Sequence, residues 1–425
     1  MSVHHHAMTV RLPTAIPRLE RRFLGLNSVL WRLASVVAVA QFGWSIWYWQ
    51  FSVFLAKNVD EWQIGIVLAS GTVATLLGYP ISGALSDLMG RKKTMLLSFL
   101  PISAGLALLA VKPEWPLVVF EYALAAFGWS FIMVVERAMA ADVVIEDKGR
   151  DSARTFSMII APAIFVDGLA PLVASGLLVW GLTQDMLISI GAVTSLLALV
   201  IAPRVLRETL TEQTMDRARA GSKVPIRSFG LNYWKTILGM AGFYFASGMT
   251  LSYFGNLFVD EWYLDLPTFG LTWTAFSFTQ ALLTYTVSGL ADRNLRASLF
   301  LAVLGNWFLI GVSGVGGGVA LAFAVNMTSA PLMILWMGAE NSIIAANVTE
   351  EAQGRAMGVY NLLLNSLNII AAPLGAMLWI STGSLRSVFI ITTIASAPLL
   401  LVLGFILRRI TAHPSSQESE IAVTP

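Results

Sequence analysis

Long apolar segments dominate the chain, and short polar or turn-like interruptions separate them. A helix that crosses a bilayer needs about 20 mainly apolar residues, and a window of that length finds twelve such segments. They lie near residues 30–56, 63–86, 94–111, 116–141, 155–180, 186–203, 234–256, 269–291, 297–316, 318–345, 355–380 and 386–407. The pattern predicts an all-α membrane protein with twelve transmembrane helices.

The longest polar stretch of the chain separates the first six segments from the last six. It predicts two six-helix bundles, an N-terminal one over 30–203 and a C-terminal one over 234–407. The central loop 204–233, the N-terminal segment 1–29 and the tail 408–425 are expected to be cytoplasmic. Composition agrees with insertion in a bilayer, since 56% of the residues are hydrophobic and 12% are charged, against about 25% charged in soluble domains.

The basic residues indicate the orientation of the chain. Lys and Arg near the ends of spans are retained on the cytoplasmic side. If the N-terminus is inside, 22 of the 27 basic residues fall in inside segments and three, Lys57, Lys112 and Arg386, fall in outside loops. We therefore predict a multi-pass protein of the cell membrane with both termini in the cytoplasm. The first 25 residues lack the apolar core of a cleavable signal peptide, so the first helix is expected to direct insertion.

The two halves repeat each other at an offset near 200 residues. Residues 59–62 and 259–262 share the sequence Val-Asp-Glu-Trp, and residues 170–172 and 372–374 share Ala-Pro-Leu. Residues 83–91 return in weaker form as 288–296. An internal duplication of this kind places a binding site at the interface of the halves, near the bilayer midplane. The repeat predicts two pseudo-symmetric bundles and transport by alternating access.

The residue inventory argues against an enzyme. Cysteine is absent and histidine occurs only at positions 4, 5, 6 and 413, so we expect no metal site and no thiol chemistry. The sequence also lacks a phosphate-cradling loop followed by Lys and Ser or Thr, which argues against ATP hydrolysis. We expect no cofactor and no nucleic-acid partner. The expected partners are the lipid bilayer, a small-molecule substrate and protons.

A polar run between the second and third predicted helices carries a specific pattern. Residues 83–93 read Gly-Ala-Leu-Ser-Asp-Leu-Met-Gly-Arg-Lys-Lys. The missing side chain of Gly83 lets a neighbouring helix approach closely, and Gly90 can adopt the positive backbone dihedrals of a tight turn. Asp87 can pair with Arg91. The run resembles the signature of the major facilitator superfamily of transporters.

This resemblance implies a fold, a mechanism and a set of roles. It implies the two-bundle fold, secondary transport and a functional monomer. In that family the acid and the first arginine form a cytoplasmic latch between the halves that holds the outward-open state, and Asp87 and Arg91 match those roles. The weaker second copy supplies Asp292, Arg293 and Arg296 at the corresponding end of the second half.

Two further acids are expected near the same end. Glu136 of helix four and Glu340 of helix ten are approximate counterparts in the repeat, so we assign both to the framework of the cytoplasmic gate. The expected ion pairs are Glu136 or Asp142 with Arg91 or Arg137, and Glu340 with Arg293 or Arg296.

Two intramembrane acids lack a counterpart in the other half. Asp167 lies midway along helix five and corresponds to Ile369, while Glu121 of helix four corresponds to Val325. A carboxylate in the bilayer is costly unless it is paired, protonated or faces a watery cavity. We therefore predict that Asp167 and Glu121 contact substrate or carry protons. A structural hydrogen bond to a helix backbone is the alternative for Asp167, and a wet position near the surface is the alternative for Glu121.

Polar and aromatic stripes on three helices predict the lining of a substrate cavity. In helices one and seven these residues recur at spacings of three and four, which places them on one helical face. Helix eleven carries amides at positions 361, 365 and 368. The cavity candidates are Gln41, Trp44, Tyr48, Tyr244, Ser247, Asn361 and Asn365.

The charges limit the substrate class. Apart from Arg32 and Arg137, both near inner ends of spans, no cation lies in the predicted membrane core. We therefore expect a neutral or cationic small organic solute and proton coupling. Facilitated uniport and a non-transporting membrane sensor are alternatives. So is drug efflux by antiport, since residues 168–176 partly resemble the glycine and proline motif of proton-driven drug antiporters, with Ala170 and Ala174 where that motif has glycines.

Overall fold

The structure is a computed structural model, and it describes residues 28–111, 113–146, 152–210, 229–348 and 353–409. Within these ranges the chain forms twelve long helices and no β-strand, which confirms the predicted all-α class. The first half contains α1 (Ser28–Ser45, then Tyr48–Gln50 and Phe51–Ala56), α2 (Glu61–Met89), α3 (Arg91–Val111), α4 (Leu117–Glu146), α5 (Ser152–Val179) and α6 (Gln184–Val205). The second half contains α7 (Leu231–Thr250, then Leu251–Tyr253, Phe254–Asn256 and Leu257–Glu261), α8 (Leu266–Arg293), α9 (Leu295–Val315), α10 (Val319–Ala346), α11 (Gln353–Thr382) and α12 (Leu385–Arg409).

The described ranges leave out most of three predicted segments. The N-terminal segment 1–29 is described only at residues 28–29, the tail 408–425 only at 408–409, and the central loop 204–233 only at 204–210 and 229–233. In the structure α6 ends at Val205 and α7 begins at Leu231. Each of the twelve described helices crosses the bundle once. The end of α12 therefore lies on the same side of the bundle as the start of α1.

Eleven of the twelve described helices are long and apolar enough to cross a membrane. The remaining helix, α8, has 28 residues but carries many Thr and Ser side chains. Two of them, Thr272 and Ser277, are fully buried. A polar side chain in a membrane is tolerated where it faces protein or a cavity rather than lipid. The polarity of α8 therefore reflects its position inside the bundle.

The helices pack in two sets that repeat each other. In the first half α2 and α3 pack on α4, α3 also packs on α6, and α1 packs on α5 and α6. In the second half α8 and α9 pack on α10, α9 also packs on α12, and α7 packs on α11 and α12. Each contact of the first half recurs six helices later, so the sequence repeat corresponds to a structural repeat.

The main contacts between the halves are those of α2 with α11 and of α5 with α8. The last turns of α1 also touch α7, where Asn256 Nδ2 donates to the Ser52 carbonyl at 3.3 Å. A Cβ atom placed on Gly65, in the first turns of α2, would lie 2.8 Å from Cα of Pro373 in α11. Near the end of α5, the Ser175 hydroxyl donates a hydrogen bond to the carbonyl of Pro267 at 2.9 Å. We call the side of the bundle where α1 begins and α12 ends the terminal end, and the opposite side the far end. Both contacts lie near the far end.

Two glycines near the terminal end have open space around them. A Cβ atom at Gly83 in α2 or at Gly358 in α11 would meet no heavy atom within 4 Å among the described residues. The close helix approach predicted for Gly83 is therefore absent from this conformation.

Helices α1 and α7 change their winding at corresponding positions. Each turns from α-helix to the tighter 3-10 form, α1 at Tyr48–Gln50 and α7 at Leu251–Tyr253. The sequence predicted an uninterrupted span in both places. A stretch of 3-10 helix inside a longer helix often marks a functional hinge, and both turns border the cavity described next.

Candidate functional site

A central cavity of about 340 Å³ lies between the two halves. Helices α1, α2 and α4 line it from the first half, and α7, α8, α10 and α11 line it from the second. Its polar lining residues are Tyr48, Ser52, Thr72, Tyr122, Tyr244, Ser247, Ser252, Asn365 and Asn368, and its larger apolar ones are Trp49, Phe51, Phe254, Phe269, Trp273, Met333 and Trp336. None of the lining residues carries a charge, so the cavity presents hydroxyls, amides and aromatic rings.

Four of the seven predicted cavity residues line this cavity: Tyr48, Tyr244, Ser247 and Asn365. The other three do not. Trp44 is 8% exposed and stacks on Trp129 of α4 with a centroid distance of 4.7 Å, Gln41 bonds to Asp167, and Asn361 lies outside the lining. For these three the predicted cavity position is wrong, because helical spacing defines a face while the packing of neighbouring helices selects which part of it meets the cavity.

Sequence reasoning missed several lining residues, among them Thr72, Tyr122, Trp273 and Trp336. Tyr122 had one indirect signal. Its ring packs against Gly71 of α2 and occupies the space that a side chain on residue 71 would need. A glycine in one helix that faces an aromatic residue in another can indicate close packing, but only once the two helices are known to be neighbours.

Asp167 of α5 is surrounded by neutral donors from both halves. In α1, Gln41 Nε2 donates to Asp167 Oδ1 at 3.1 Å and Ser45 Oγ donates to the same oxygen at 2.5 Å. In α8, Ser277 Oγ donates to Asp167 Oδ2 at 2.9 Å. Among the residues that the structure describes, Asp167 forms no ion pair. Its hydrogen bonds come from side chains rather than from a helix backbone.

The Asp167 cluster lies between the central cavity and the terminal end. On α1, which runs from the terminal end, Gln41 and Ser45 precede Tyr48. On α8, which runs from the far end, Ser277 follows Trp273 by one helical turn. Tyr48 and Trp273 line the cavity, so the cluster is one turn beyond the lining on both helices. A change in this cluster therefore acts directly on the contact between α5 and α8.

Glu121 is buried in the first half. The residue is 5% exposed, and its Oε2 atom has no hydrogen-bond partner within the described ranges. The wet surface position considered from the sequence is therefore wrong. The next residue, Tyr122, lines the cavity, which places the Glu121 backbone close to the cavity wall.

Glu340 of α10 lies in a cluster of tyrosines. Tyr244 OH donates to Glu340 Oε2 at 3.1 Å, and Tyr360 OH donates to Glu340 Oε1. The residue is 6% exposed. The predicted ion pair of Glu340 with Arg293 or Arg296 is wrong, because the phenol groups of α7 and α11 reach the buried carboxylate while both arginines lie at the terminal end of α8 and α9. Since Tyr244 also lines the cavity, Glu340 stands directly behind the cavity wall.

Arg91 is the centre of an ion-pair network at the terminal end of the first half. Its Nη1 atom lies 2.7 Å from Asp87 Oδ1 and its Nε atom lies 3.3 Å from Asp142 Oδ2. The predicted pair with Asp142 is thus present, and the predicted pair with Asp87 joins it. In the described part of the chain Glu136 and Arg137 form no ion pair. The side-chain partners of Arg91 belong to its own half, so in this conformation the network does not reach across to the second half.

Gly90 and Glu208 shape the turn before α3. Gly90 has φ of 98°, which fulfils the prediction of positive backbone dihedrals. The Glu208 carboxylate accepts hydrogen bonds from the backbone N–H groups of Arg91 and Lys92 at 2.9 and 3.1 Å. An anion is favoured there because a helix N-terminus has free N–H groups and the positive end of the helix dipole. No pattern in the sequence pointed to Glu208, which lies more than one hundred residues after α3 begins.

The second copy of the motif has a different structure. Asn294 adopts an extended φ of −155°, and its side chain accepts a hydrogen bond from Ala297 N at 3.1 Å at the start of α9. Leu295, which stands where the first copy has Gly90, is already helical. Arg293 and Arg296 form no ion pair among the described residues, and the side chain of Asp292 lies outside them.

The cavity presents aromatic rings, hydroxyls and amides, with the Asp167 carboxylate one helical turn beyond its lining. Aromatic faces attract cations, and hydroxyl and amide groups bond to polar solutes. Within the described ranges, no group of three or more His, Asp or Glu residues could hold a metal ion.

Comparison with known structures identifies the fold. The nucleoside transporter NupG superposes with a TM-score of 0.72 at 14% identity, over 89% of this chain and 99% of that one. A peptide transporter POT in complex with sulfate gives 0.70 at 15% identity, over 92% and 96%. A bacterial homologue of the human lysosomal transporter Spinster, inward-facing and occupied, gives 0.68 at 14% identity, over 90% and 97%. At sequence identities this low, the comparison shows a shared fold and nothing about a shared substrate.

The sequence itself gives the family. No curated protein sequence matches the chain. The sequence profile of the Major Facilitator Superfamily matches residues 33–367, which include nearly all of the first half and most of the second. The chain therefore belongs to the Major Facilitator Superfamily of membrane transporters.

Proposed function

We propose that this protein is a proton-coupled secondary transporter that moves a neutral or cationic small organic solute across the cell membrane by alternating access. The observation that carries the proposal is the Asp167 cluster. A carboxylate lies at the boundary between the halves, beside the central cavity, and its described partners are neutral donors from α1 and α8.

The chemistry of the carboxyl group supports coupling. An ionised carboxylate only accepts hydrogen bonds, whereas a protonated one also has an O–H to donate. The three donors around Asp167 suit the ionised form. Proton binding removes the charge and one acceptor site of the carboxylate, and so weakens its hydrogen bond with the Ser277 hydroxyl of the other half. The proton thus changes the free-energy difference between the conformation in which α5 contacts α8 at Asp167 and the conformation in which this contact is broken.

The cavity supports the substrate class. Its lining contains aromatic rings, hydroxyls and amides but no charged side chain. An anionic solute would lose its hydration without gaining a cationic partner, which is costly. The solved relatives differ in what their names say they transport, namely nucleosides and peptides, so the substrate class rests on the lining of this cavity.

The test is transport by the purified protein in liposomes that contain a pH-sensitive dye. A proton gradient is imposed, and sugars, amino acids, nucleosides and organic cations are added in turn. We expect at least one neutral or cationic solute to move protons in the wild type. We expect Asp167→Asn to abolish that proton movement while solute exchange persists.

Asp185→Asn is the matched control, because it removes a carboxylate from the first turn of α6 at the far end, away from the cavity. It should leave proton movement unchanged. Solute movement without protons in the wild type, unaffected by Asp167→Asn, would favour a uniporter. Solute binding without any transport would favour a membrane sensor.

A further inference from the structure

A side pocket of about 150 Å³ opens from the central cavity into the second half. Four helices enclose it: α7, α8, α9 and α10. Six residues belong to both the pocket and the cavity, namely Ser247, Leu251, Phe254, Trp273, Met333 and Trp336. The two spaces are therefore adjacent and share one wall.

The walls of the side pocket are mainly apolar and aromatic. Phe243, Phe276, Ile310 and Val325 line it and do not line the central cavity. An apolar cavity of about 150 Å³ in another protein holds one benzene molecule and stays dry without it. Aromatic walls add edge-to-face or offset contacts to a ring in such a space. The side pocket thus has the size and surface for one six-membered aromatic ring.

The Ser247 hydroxyl and the Trp336 Nε1 atom, both at the entrance, lack a hydrogen-bond partner among the described residues. Ser247 is 7% exposed, lines both spaces, and its hydroxyl has no hydrogen-bond partner among the described residues. A buried hydroxyl without a partner costs free energy. A ligand with a polar group next to its ring would satisfy this hydroxyl.

The residue at the entrance of the side pocket differs between the two halves. The 3-10 turns at Tyr48–Gln50 and Leu251–Tyr253 relate α1 to α7, and in that register position 247 corresponds to Trp44. Trp44 is 8% exposed and packs against Trp47, Tyr48 and Trp129. A large indole therefore stands in the first half where the second half has a small serine beside the pocket. This difference between otherwise similar halves indicates a role in function rather than in the common framework.

We propose that the substrate is an aromatic amphipathic solute, whose single ring enters the side pocket while a polar group beside the ring bonds to Ser247 and the remaining polar part stays in the central cavity. This inference rests on the proposed transport function. It names a ring-bearing neutral or cationic molecule as the substrate class and leaves out plain sugars and short aliphatic amino acids.

Binding of small probes tests the pocket without any transport. Toluene, benzyl alcohol and mannitol are added to the protein in detergent, and binding is measured by saturation-transfer NMR. We expect the two aromatic probes to bind and mannitol not to bind. Val325→Phe places a ring inside the pocket and should weaken both aromatic probes at least tenfold. Met327→Phe, on the exposed face of the same helix, should leave them unchanged.

A second variant keeps the test valid if Val325→Phe does not fold. Ser247→Ala removes only the hydroxyl, so it should weaken benzyl alcohol about threefold to tenfold, as expected for one hydrogen bond, and leave toluene unchanged. Equal binding of toluene in Val325→Phe and wild type, or equal loss of both probes in Ser247→Ala, would overturn the inference.

Transport separates this inference from the proposed function. If the wild type moves protons with a non-aromatic solute and Val325→Phe does so at the same rate, the proposed function stands and the substrate class falls. If the aromatic probes bind as expected but no solute in the liposome panel is transported, the pocket stands and the proposed function falls.

Discussion

The Asp167 carboxylate of α5 accepts a hydrogen bond from the Ser277 hydroxyl of α8 at 2.9 Å, across the boundary between the two halves. The same carboxylate holds Gln41 and Ser45 of α1. One acid thus joins three helices at the place where the central cavity leads towards the terminal end. Any event that changes its charge acts on the contact that must break when the halves rearrange.

Removal of the Ser277 hydroxyl should favour the alternative conformation. A hydrogen bond to a charged group contributes about 1.5–3 kcal/mol, so Ser277→Ala should raise the population of the form open at the far end by roughly tenfold or more. The chain has no cysteine, so spin labels at Val111→Cys and Val315→Cys would report the far-end distance specifically. These residues are exposed at the ends of α3 and α9.

The control for this measurement is Ser366→Ala on the exposed face of α11. Within the described part of the chain, its hydroxyl bonds to the carbonyl of Leu363 in the same helix. It should leave the distance distribution unchanged. An identical distribution in Ser277→Ala and wild type would show that the inter-half hydrogen bond does not influence the conformational equilibrium.

Two glycines of α2 should respond in opposite ways to a large side chain. Gly83→Leu enters open space in this conformation and should leave thermal unfolding nearly unchanged, but it should abolish transport because the terminal end can no longer close. Gly65→Leu would collide with Pro373 and should lower thermal stability. The comparison requires unfolding curves and transport rates for both variants. Full transport in Gly83→Leu would contradict alternating closure at this site.

The tyrosines around Glu340 should contribute to stability. Tyr360→Phe removes one of the two phenol donors of a buried carboxylate and leaves Glu340 Oε1 with the longer bond from Tyr244 at 3.3 Å. The loss of one hydrogen bond costs about 0.5–1.5 kcal/mol. Unfolding in detergent should therefore occur at a lower temperature than for wild type. Tyr263→Phe is the control, since Tyr263 is 86% exposed. If the lost bond to Glu340 causes the drop in unfolding temperature, Tyr360→Phe should lower that temperature less in a Glu340→Gln background than in the wild type.

The turn before α3 should reject a side chain. Gly90→Ala adds a Cβ at φ of 98°, a region that costs other residues about 1–2 kcal/mol, and this Cβ would lie 2.5 Å from Glu208 Oε2. A drop in thermal stability is expected. Gly176→Ala, in the interior of α5 with no neighbour within 4 Å, should be neutral or slightly stabilising because alanine favours helix. A stability loss of equal size in both variants would contradict this view of Gly90.

The repeated Val-Asp-Glu-Trp sequence shows how far local sequence determines structure. In the first copy Asp60 is extended and precedes α2, and its backbone N–H donates to Gln63 Oε1 at 2.9 Å. In the second copy Asp260 and Glu261 lie in a π-helical turn, and α8 begins only after Asp265, which accepts a hydrogen bond from Thr268 N. Tyr263 stands where the first copy has Gln63. The second copy therefore lacks the side chain that accepts the hydrogen bond from the Asp60 backbone N–H at the start of α2.

The role of Glu261 depended on the tertiary structure. Its carboxylate accepts hydrogen bonds from Ser384 Oγ and from Arg386 N, both at 3.1 Å, at the start of α12. These partners are more than 120 residues away in the chain. Its counterpart Glu61 lies in the first turn of α2. The same residue in the same tetrapeptide therefore differs in role because different helices surround it.

The sequence by itself determined the class, the twelve spans, the two repeated halves and the family, because a bilayer requires about 20 apolar residues per span and hydrogen-bonded backbone within each. It also identified Asp167 as unmatched and four residues of the cavity. Only the tertiary structure decided that Asp167 meets Ser277, that Glu340 meets tyrosines rather than arginines, and that Ser247 lies at the entrance of a side pocket. Such partners lie on helices far apart in the chain, and their contacts depend on how those helices are rotated and packed.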